Sequence, residues 1–320
     1  MGFHDFDLLL MRAAEKRSGL FGSTSTDCFR LFNGEGDGCD GLTLDIYSEW
    51  LLIQYFDDSI YNSLGAVCKA VSSLAASLPA GIRGILAKDR RFAEDSSDKN
   101  ELWRSRIIEG IYDEAGITVH QNGILAQVDL LNGQNTGIFL DMREVREKLS
   151  GFYPGSGVKS MINLFSYTGL FSLHALKNGV ERAVNVDLSK GVLRRARENY
   201  ELNGLAVDDR DFIYGDSMEW IKIFTRKRTL FDYAVFDPPT FARNRGRNFS
   251  VRRNSGESLK KLEAVVPGGY LLTSVNSYSV SREEYISYHP SEWELLMFSN
   301  ESSDFVNRGN PYLKAGLWKI

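Results

Sequence analysis

Residues 158–176, VKSMINLFSYTGLFSLHAL, decide the fold. The apolar run VKSMINLF ends in a polar turn, and Gly169 then leads into a segment with apolar residues at helical spacing. A strand handed to a helix through a glycine is the opening unit of a parallel sheet with crossover helices. The pattern repeats downstream. AVNVDL, DFIYGD, DYAVFDPP and GGYLLTSV are apolar runs that close on polar or small residues, with helical stretches such as GVLRRARENYELNG and MEWIKIFTRK between them. Strands of this kind are covered by helices on both faces. The expectation is an α/β domain with its ligand outside the carboxyl ends of the strands, where the strand order reverses. The strand-end residues Asn163, Asp187, Asp216, Asp237 and Ser274 therefore carry the search for chemistry.

Upstream the texture differs. CFRLFNGEGDGCDGLTLDIYSEWLLIQYF (28–56) alternates apolar and polar residues around a Gly/Asp-rich turn, which predicts a strand, a loop and two more strands. A helix over NSLGAVCKAVSSLAASL and a strand over GIRGILAKD complete a small α+β unit. RRFAEDSSDKNELWRSR is charged and poor in apolar residues, so it reads as a linker and puts a domain boundary near residue 105. ITVHQNGILAQVDLL predicts a hairpin in which Asn122-Gly123 supplies the positive φ angles of a tight turn. The organisation expected is a helical extension at 1–27, a small α+β domain at 28–105 and a larger α/β domain at 106–320.

Composition narrows the classes. With 320 residues, 43% hydrophobic and 25% charged, the chain can bury a real core, and no apolar stretch approaches the ~20 residues of a membrane span. The N-terminal MGFHDFDLLLMRAAEKRSGLF reads as an amphipathic helix and not as a signal peptide, which favours a cytoplasmic protein. Cys28, Cys39 and Cys68 have neither disulfide nor zinc spacing, and the four histidines are scattered singly, so no metal is assigned. The net charge of −4 leaves any nucleic-acid contact to local basic patches. Oligomeric state is left open, a homodimer among the options.

The loop after the first strand lacks the G-x-G-x-x-G of a dinucleotide site, which disfavours NAD. A cofactor without phosphates needs only one glycine for close approach. Asp187, at the end of the second strand, can accept both hydroxyls of a ribose, and Asp216, ending the third, can reach an adenine amino group. Each could instead cap the helix that follows it.

Four ordered motifs, NGQNTGIFLDMREVR, NLFSYTGLFS, NVDLS…ARENYELNGL and DPPTFARN, resemble those of the S-adenosylmethionine-dependent methyltransferases of the 23S ribosomal RNA large-subunit group, which includes cytosine-C5 and guanine-N7 enzymes. The resemblance spans roughly residues 28–320. It implies a Rossmann-like, class I methyltransferase fold with a mainly parallel seven-stranded sheet, preceded by a small α+β domain. It further implies S-adenosylmethionine as cofactor and ribosomal RNA as partner. Gln134, Thr136 and Phe139 would pack against the cofactor, Asn163, Phe165 and Gly169 would line its methionine end, Asp187 would hold its ribose and Asp216 with Ser217 its adenine, with Ser166 and Leu188 as further cofactor-binding residues. The family usually shows a lysine where this chain has Asn135.

The stretch DPPTF then becomes the acceptor end of the site. Methylation of cytosine C5 uses a cysteine thiolate that attacks C6 first, yet no cysteine follows Cys68, Thr240 stands after the two prolines, and the fifth strand ends with Ser274 and Asn276. Guanine N7 carries a lone pair and needs only to be positioned. Asp237 could accept from the N1–H and amino edge of a guanine, Pro238 and Pro239 would stiffen the backbone, and Phe241 could stack on the base. An exocyclic amine could use the same parts. ARNRGRNFSVRR places five arginines within twelve residues, which suits phosphate contacts. The reading is a methyltransferase of a 23S ribosomal RNA base, guanine N7 ahead of cytosine C5. The alternatives are a small-molecule or protein methyltransferase and a non-catalytic cofactor-binding factor for ribosome assembly.

Overall fold

A computed structural model of the chain describes residues 5–91, 105–239, 241–244, 247–250 and 259–320, with the side chains of 241–250 outside the description. It divides into two compact units, Met1–Arg143 with Ser302–Gly309, and Glu144–Glu301 with Asn310–Ile320.

In the first unit, helix α1 (Phe6–Lys16) begins at Asp5, whose carboxylate accepts the Leu8 amide at 3.1 Å. Strands β1 (Cys28–Asn33), β2 (Leu42–Tyr47) and β3 (Trp50–Tyr55) form an antiparallel meander. Helices α2 (Asp58–Asn62) and α3 (Leu64–Ala75) then cross over to β4 (Gly84–Asp89), which pairs parallel with β3, and β5 (Arg106–Glu109) closes the sheet antiparallel to β4. Phe6, Leu10 and Ala13 of α1 and Val67, Ala70, Val71 and Leu74 of α3 lie at helical spacing and pack on Leu44, Ile46, Leu51 and Ile53 of the sheet. Burying each of the larger ones contributes about 1.5–3 kcal/mol. The predicted hairpin is β6 (Ile117–Gln121) and β7 (Ile124–Val128), and its turn has φ of 52° at Asn122 and 76° at Gly123.

The boundary expected near residue 105 falls inside this unit. β5 is bound to the sheet through β4, and Asp27 ties the hairpin to the start of β1, its amide donating to the His120 carbonyl at 3.0 Å. The returning segment adds Asp304, which pairs with Arg143 at 2.9 Å and accepts the Arg30 amide at 2.7 Å. Helix α1, expected as an extension, supplies part of the core.

The second unit contains α4 (Arg143–Ser156, all but its first residue), α5 (Leu170–Lys177), α6 (Lys190–Leu202) and α7 (Ser217–Lys227). Its strands are β8 (Ser160–Leu164), β9 (Arg182–Asp187), β10 (Phe212–Tyr214), β11 (Tyr233–Phe236), the two-stranded β12 (Phe241–Asn244) and β13 (Arg247–Ser250), β14 (Tyr270–Asn276), β15 (Glu294–Ser299) and β16 (Leu313–Lys319). The main sheet has seven strands in the order β10-β9-β8-β11-β14-β16-β15. The five apolar runs singled out in the sequence are its parallel strands, and β16 inserts antiparallel between β14 and β15. The chain runs outward from β8 to β10 and returns to lay β11 on the other side of β8. The order therefore reverses between β8 and β11.

Strand alternation sorts the two faces. Ile162, Leu164, Ala234 and Phe236 share a core with Ile221 and Phe224 of α7. Asn163 and Asn185, opposite each other in register, take the other face, toward Ser172 of α5 and Tyr200 of α6. Among the described residues no helix is long and apolar enough to cross a membrane.

Candidate active site

The turn that leaves β8 is strained. Phe165 and Tyr167 have φ of 56° and 49°, and Gly169 has 79°. A left-handed backbone costs a residue with a Cβ roughly 1–2 kcal/mol, so two such residues persist only where neighbours hold them. Three bonds do so. The Phe165 amide donates to Ser217 Oγ at 3.2 Å, the Ser166 amide to the Val186 carbonyl at 3.0 Å, and the Tyr167 amide to Asp187 Oδ2 at 2.9 Å. A side chain at Gly169 would need the left-handed conformation as well, with its Cβ 3.3 Å from that of Ala196. The loop is thus pinned against the ends of β9 and α7.

Beneath it runs a neutral, fully buried chain. The Asn163 carboxamide donates to Ser172 Oγ at 3.0 Å, Ser172 donates to Asn185 Oδ1 at 2.8 Å, and Asn185 donates to the Tyr200 hydroxyl at 2.9 Å. Asn163, expected at the ligand, is committed to this chain. The sequence offered one signal for the network, an asparagine inside each of two apolar strands.

Asp216 caps the helix that follows it and Asp187 does not. Ser189, and not Asp187, caps α6 through the Val192 amide. Asp187 Oδ1 accepts the Ser189 amide at 2.9 Å, and burial pushes its pKa up despite the backbone bonds that favour the charged form. It is a desolvated carboxylate at a strand end, with Leu188 beside it 47% exposed. Asp216 is the N-cap of α7, accepting from Met218 and Glu219 at 2.9 and 3.1 Å. Ser217 is buried and braces the β8 turn.

Asp237 lies directly beyond β11, on the other side of the reversal, and the Ser274 hydroxyl of β14 donates to its Oδ1. Pro238 is buried and Pro239 exposed. Asn276, on the same side of β14 as Ser274 by strand alternation, is exposed at the strand's last position. Thr240 lies outside the described residues, as do the Phe241 side chain and those of the arginine-rich run; Phe241 opens β12.

The remaining expected residues lie in the first unit. Thr136 is buried, its hydroxyl 3.1 Å from that of Tyr47, while Gln134, Asn135 and Phe139 are exposed. The sequence reading missed two cations here. Lys88 is buried, with its ammonium pushed down to about 8 by burial and by Arg90, and it donates to the Gly133 carbonyl at 3.0 Å. Arg90 donates to the Gln134 carbonyl at 2.8 Å. A lysine absent at 135 is thus accompanied by two cations on the same loop, Lys88 in β4 and Arg90 just beyond it. The signal was the run KDRR closing an apolar strand.

These residues fit a nucleoside cofactor with an amino-acid tail. The Ser166 hydroxyl is buried and without a hydrogen-bond partner among the described residues, and no side chain caps α5, so both can serve a polar ligand at the turn. Asp187 presents a carboxylate able to accept hydrogen bonds at the strand end. Among the described residues no group of three or more His, Cys, Asp or Glu could hold a metal ion.

The chain is similar to known proteins. The model of a family described as S-adenosylmethionine-dependent methyltransferase matches residues 29–303. YwbD of Bacillus subtilis, provisionally named a ribosomal RNA large subunit methyltransferase, is 33% identical over 282 residues, covering 86% of this chain and 67% of that one. Ribosomal RNA large subunit methyltransferase I of Aeromonas salmonicida is 32% identical over 273 residues, 84% of this chain and 66% of its own length. The chain spans about two thirds of these relatives. The crystal structure of SMU.776, provisionally named a methyltransferase and complexed with SAH, matches with a TM-score of 0.87 at 26% identity, over 98% of this chain and 81% of that one.

Proposed function

The chain belongs to the S-adenosylmethionine-dependent methyltransferase family, with S-adenosylmethionine as its cofactor, and from that premise we propose that it methylates a base of large-subunit, 23S ribosomal RNA at a nitrogen, guanine N7 before others. The RNA part of this reading is supported by what the relatives are named for. The nitrogen part rests on one observation: the acid at the sheet reversal is held by a serine hydroxyl, in a unit whose sequence contains no cysteine. The thiols of the first unit are poorly suited to attack. Cys28 and Cys39 are buried, and burial with Asp57 and Asp40 nearby pushes Cys39 up to about 11; burial with Glu109 raises Cys68 as well.

When bound, S-adenosylmethionine supplies an electrophilic methyl group on a sulfonium. The chain's own part is to bind, orient and exclude water. Ser166, Asp187 and Leu188 would hold the cofactor, with Asn163 and Ser217 acting through the turn they support and Asp216 at the adenine side. Ser274 engages Asp237 Oδ1 and so fixes the rotation of the carboxylate. That carboxylate would accept from the N1–H and amino groups of guanine, leaving N7, which has no proton to lose, as the nucleophile. Pro238 and Pro239 fix the backbone that carries it, and Phe241 is the proposed stacking partner. We place the activity in the cytoplasm.

The test is transfer of label from S-adenosylmethionine to unmodified ribosomal RNA, followed by nucleoside analysis. Label in 7-methylguanine supports the reading, and Asp237→Asn should lower kcat about 10²-fold while cofactor affinity stays unchanged. Label at cytosine C5 overturns the nitrogen assignment. Absence of label in RNA, with transfer to a small molecule or protein or with cofactor binding alone, overturns the RNA assignment.

A further inference from the structure

Past Asn276, the strand that carries Ser274 turns sharply, and the turn presents an aromatic pair. Tyr278 is 68% exposed, and its ring centroid lies 5.4 Å from that of Tyr312 at an interplanar angle of 56°. Single exposed aromatics are common on protein surfaces, so exposure alone says little. The support beneath this pair is unusual. The Ser277 amide donates to the Tyr312 carbonyl at 2.7 Å, and Lys314, itself buried, donates to the carbonyls of Ser277 and Pro311. Glu301 accepts the amides of Tyr312 and Leu313 at 3.3 and 3.0 Å. A buried lysine and a buried glutamate are thus spent on holding two backbone segments that each carry a tyrosine. Burying such groups is costly unless they are well bonded, which marks the turn as a fixed surface.

Its position gives that surface a use. Tyr278 lies four residue steps beyond Ser274, which caps the separation of their Cα atoms at about 14 Å. That is the reach from an acceptor base held at Asp237 to a neighbour one or two nucleotides away.

We propose that Tyr278, backed by Tyr312, is a stacking platform for an unpaired base of the RNA substrate flanking the methylated one. The proposal rests on the ribosomal RNA reading above. Every base has a π-face, so a ring held rigid and solvent-facing captures an unpaired nucleotide without reading its identity, and it orients the strand that enters the site. A rigid ring also gives up little conformational freedom on binding.

Steady-state transfer to unmodified ribosomal RNA distinguishes this from a purely structural turn. Tyr278→Ala should raise KM for RNA about tenfold with kcat little changed, as expected for lost uniform binding. Tyr278→Phe and Tyr278→Trp should restore KM, because the ring and not the hydroxyl acts. Calorimetric affinity for S-adenosylmethionine should be the same in all four proteins, and a structural role would shift it. With the wild type active on RNA, an unchanged KM for Tyr278→Ala, or a Phe variant as impaired as Ala, overturns the platform while leaving the RNA reading intact. A wild type that transfers nothing to RNA overturns both.

Discussion

The two units bury polarity differently along their central strands. The first keeps charge inside: Arg17 grips Asp37 through two bonds of 3.1 and 2.7 Å and also reaches the Asp304 carbonyl, Arg30 pairs with buried Asp45, and Arg143 pairs with Asp304. On strands β8, β9 and β14 of the second, the buried polar side chains are neutral, as in the chain from Asn163 to Tyr200 and a cluster in which Thr273 Oγ1 lies 2.5 Å from the Tyr285 hydroxyl and 2.8 Å from His289 Nε2, and the buried charges Arg146, Glu301 and Lys314 lie outside these strands. There the carboxylates stand at strand ends, Asp187, Asp216 and Asp237. Buried ion pairs fix an arrangement but respond poorly to losing a partner. Neutral networks support a site without placing fixed charge behind it, so the strand-end acids set the field there.

The largest effect expected from this contrast is in the first unit. Arg17→Met leaves Asp37 buried with the half-exposed Lys16 and the Asn33 amide as its partners and should destabilise the unit by about 3–5 kcal/mol, read as lost hydrogen-exchange protection in α1 and β1. A loss below 1 kcal/mol would show that the pair is incidental.

Acidification should separate the units next. Burial, with Arg146 nearby, depresses His174 to about 3, and burial depresses His289 to about 4. The unfolded chain binds these protons first, so stability falls as pH drops below about 6.5 and continues to fall until each folded pKa is reached, at about 1.4 kcal/mol per pH unit per histidine. Asp187, raised by burial, opposes this only near the carboxylate range. In the first unit, burial pushes Asp37 up but the bonds from Arg17 and Lys16 outweigh it and hold it low. The stability it contributes is present above about 3.8 and lost as pH falls through its folded value. Exchange protection measured from pH 7 to 5 should therefore drop in the second unit first; the reverse order would break the comparison.

Ser172→Ala removes both the acceptor for Asn163 and the donor for Asn185, and should cost about 1–3 kcal/mol in exchange protection of β8 and β9. Smallest of all is the exposed pair of Lys159 and Glu181, 2.7 Å apart, where Lys159→Ala should leave the unfolding midpoint unchanged.

Much of the fold, and the strand-end positions of the candidate residues, was legible because these features are local. Asn122-Gly123 needs only its own φ angles to make a hairpin, and an apolar run closed by Asp187 or Asp237 announces a strand end wherever it packs. Asn163 was legible as a position and not as a role. In a strand apolar on both faces, alternation does not say which side a lone amide takes, and Ser172 and Asn185, which claim it, come from other elements. The same holds for Lys88 and Arg90, whose partners are carbonyls of a loop more than forty residues away.

By itself, then, the sequence determined the strand-helix alternation, the acids at strand ends and the absence of a cysteine beyond Cys68, since these depend on residue type and short-range period. Only the tertiary structure decided that Ser274 holds Asp237, that Asp216 caps a helix while Asp187 does not, that β16 enters the sheet antiparallel, and that Tyr278 meets Tyr312. Each of these is a contact between elements distant in the chain or a choice among competing local bonds, and the winner is set by which backbone the packed sheet brings within reach.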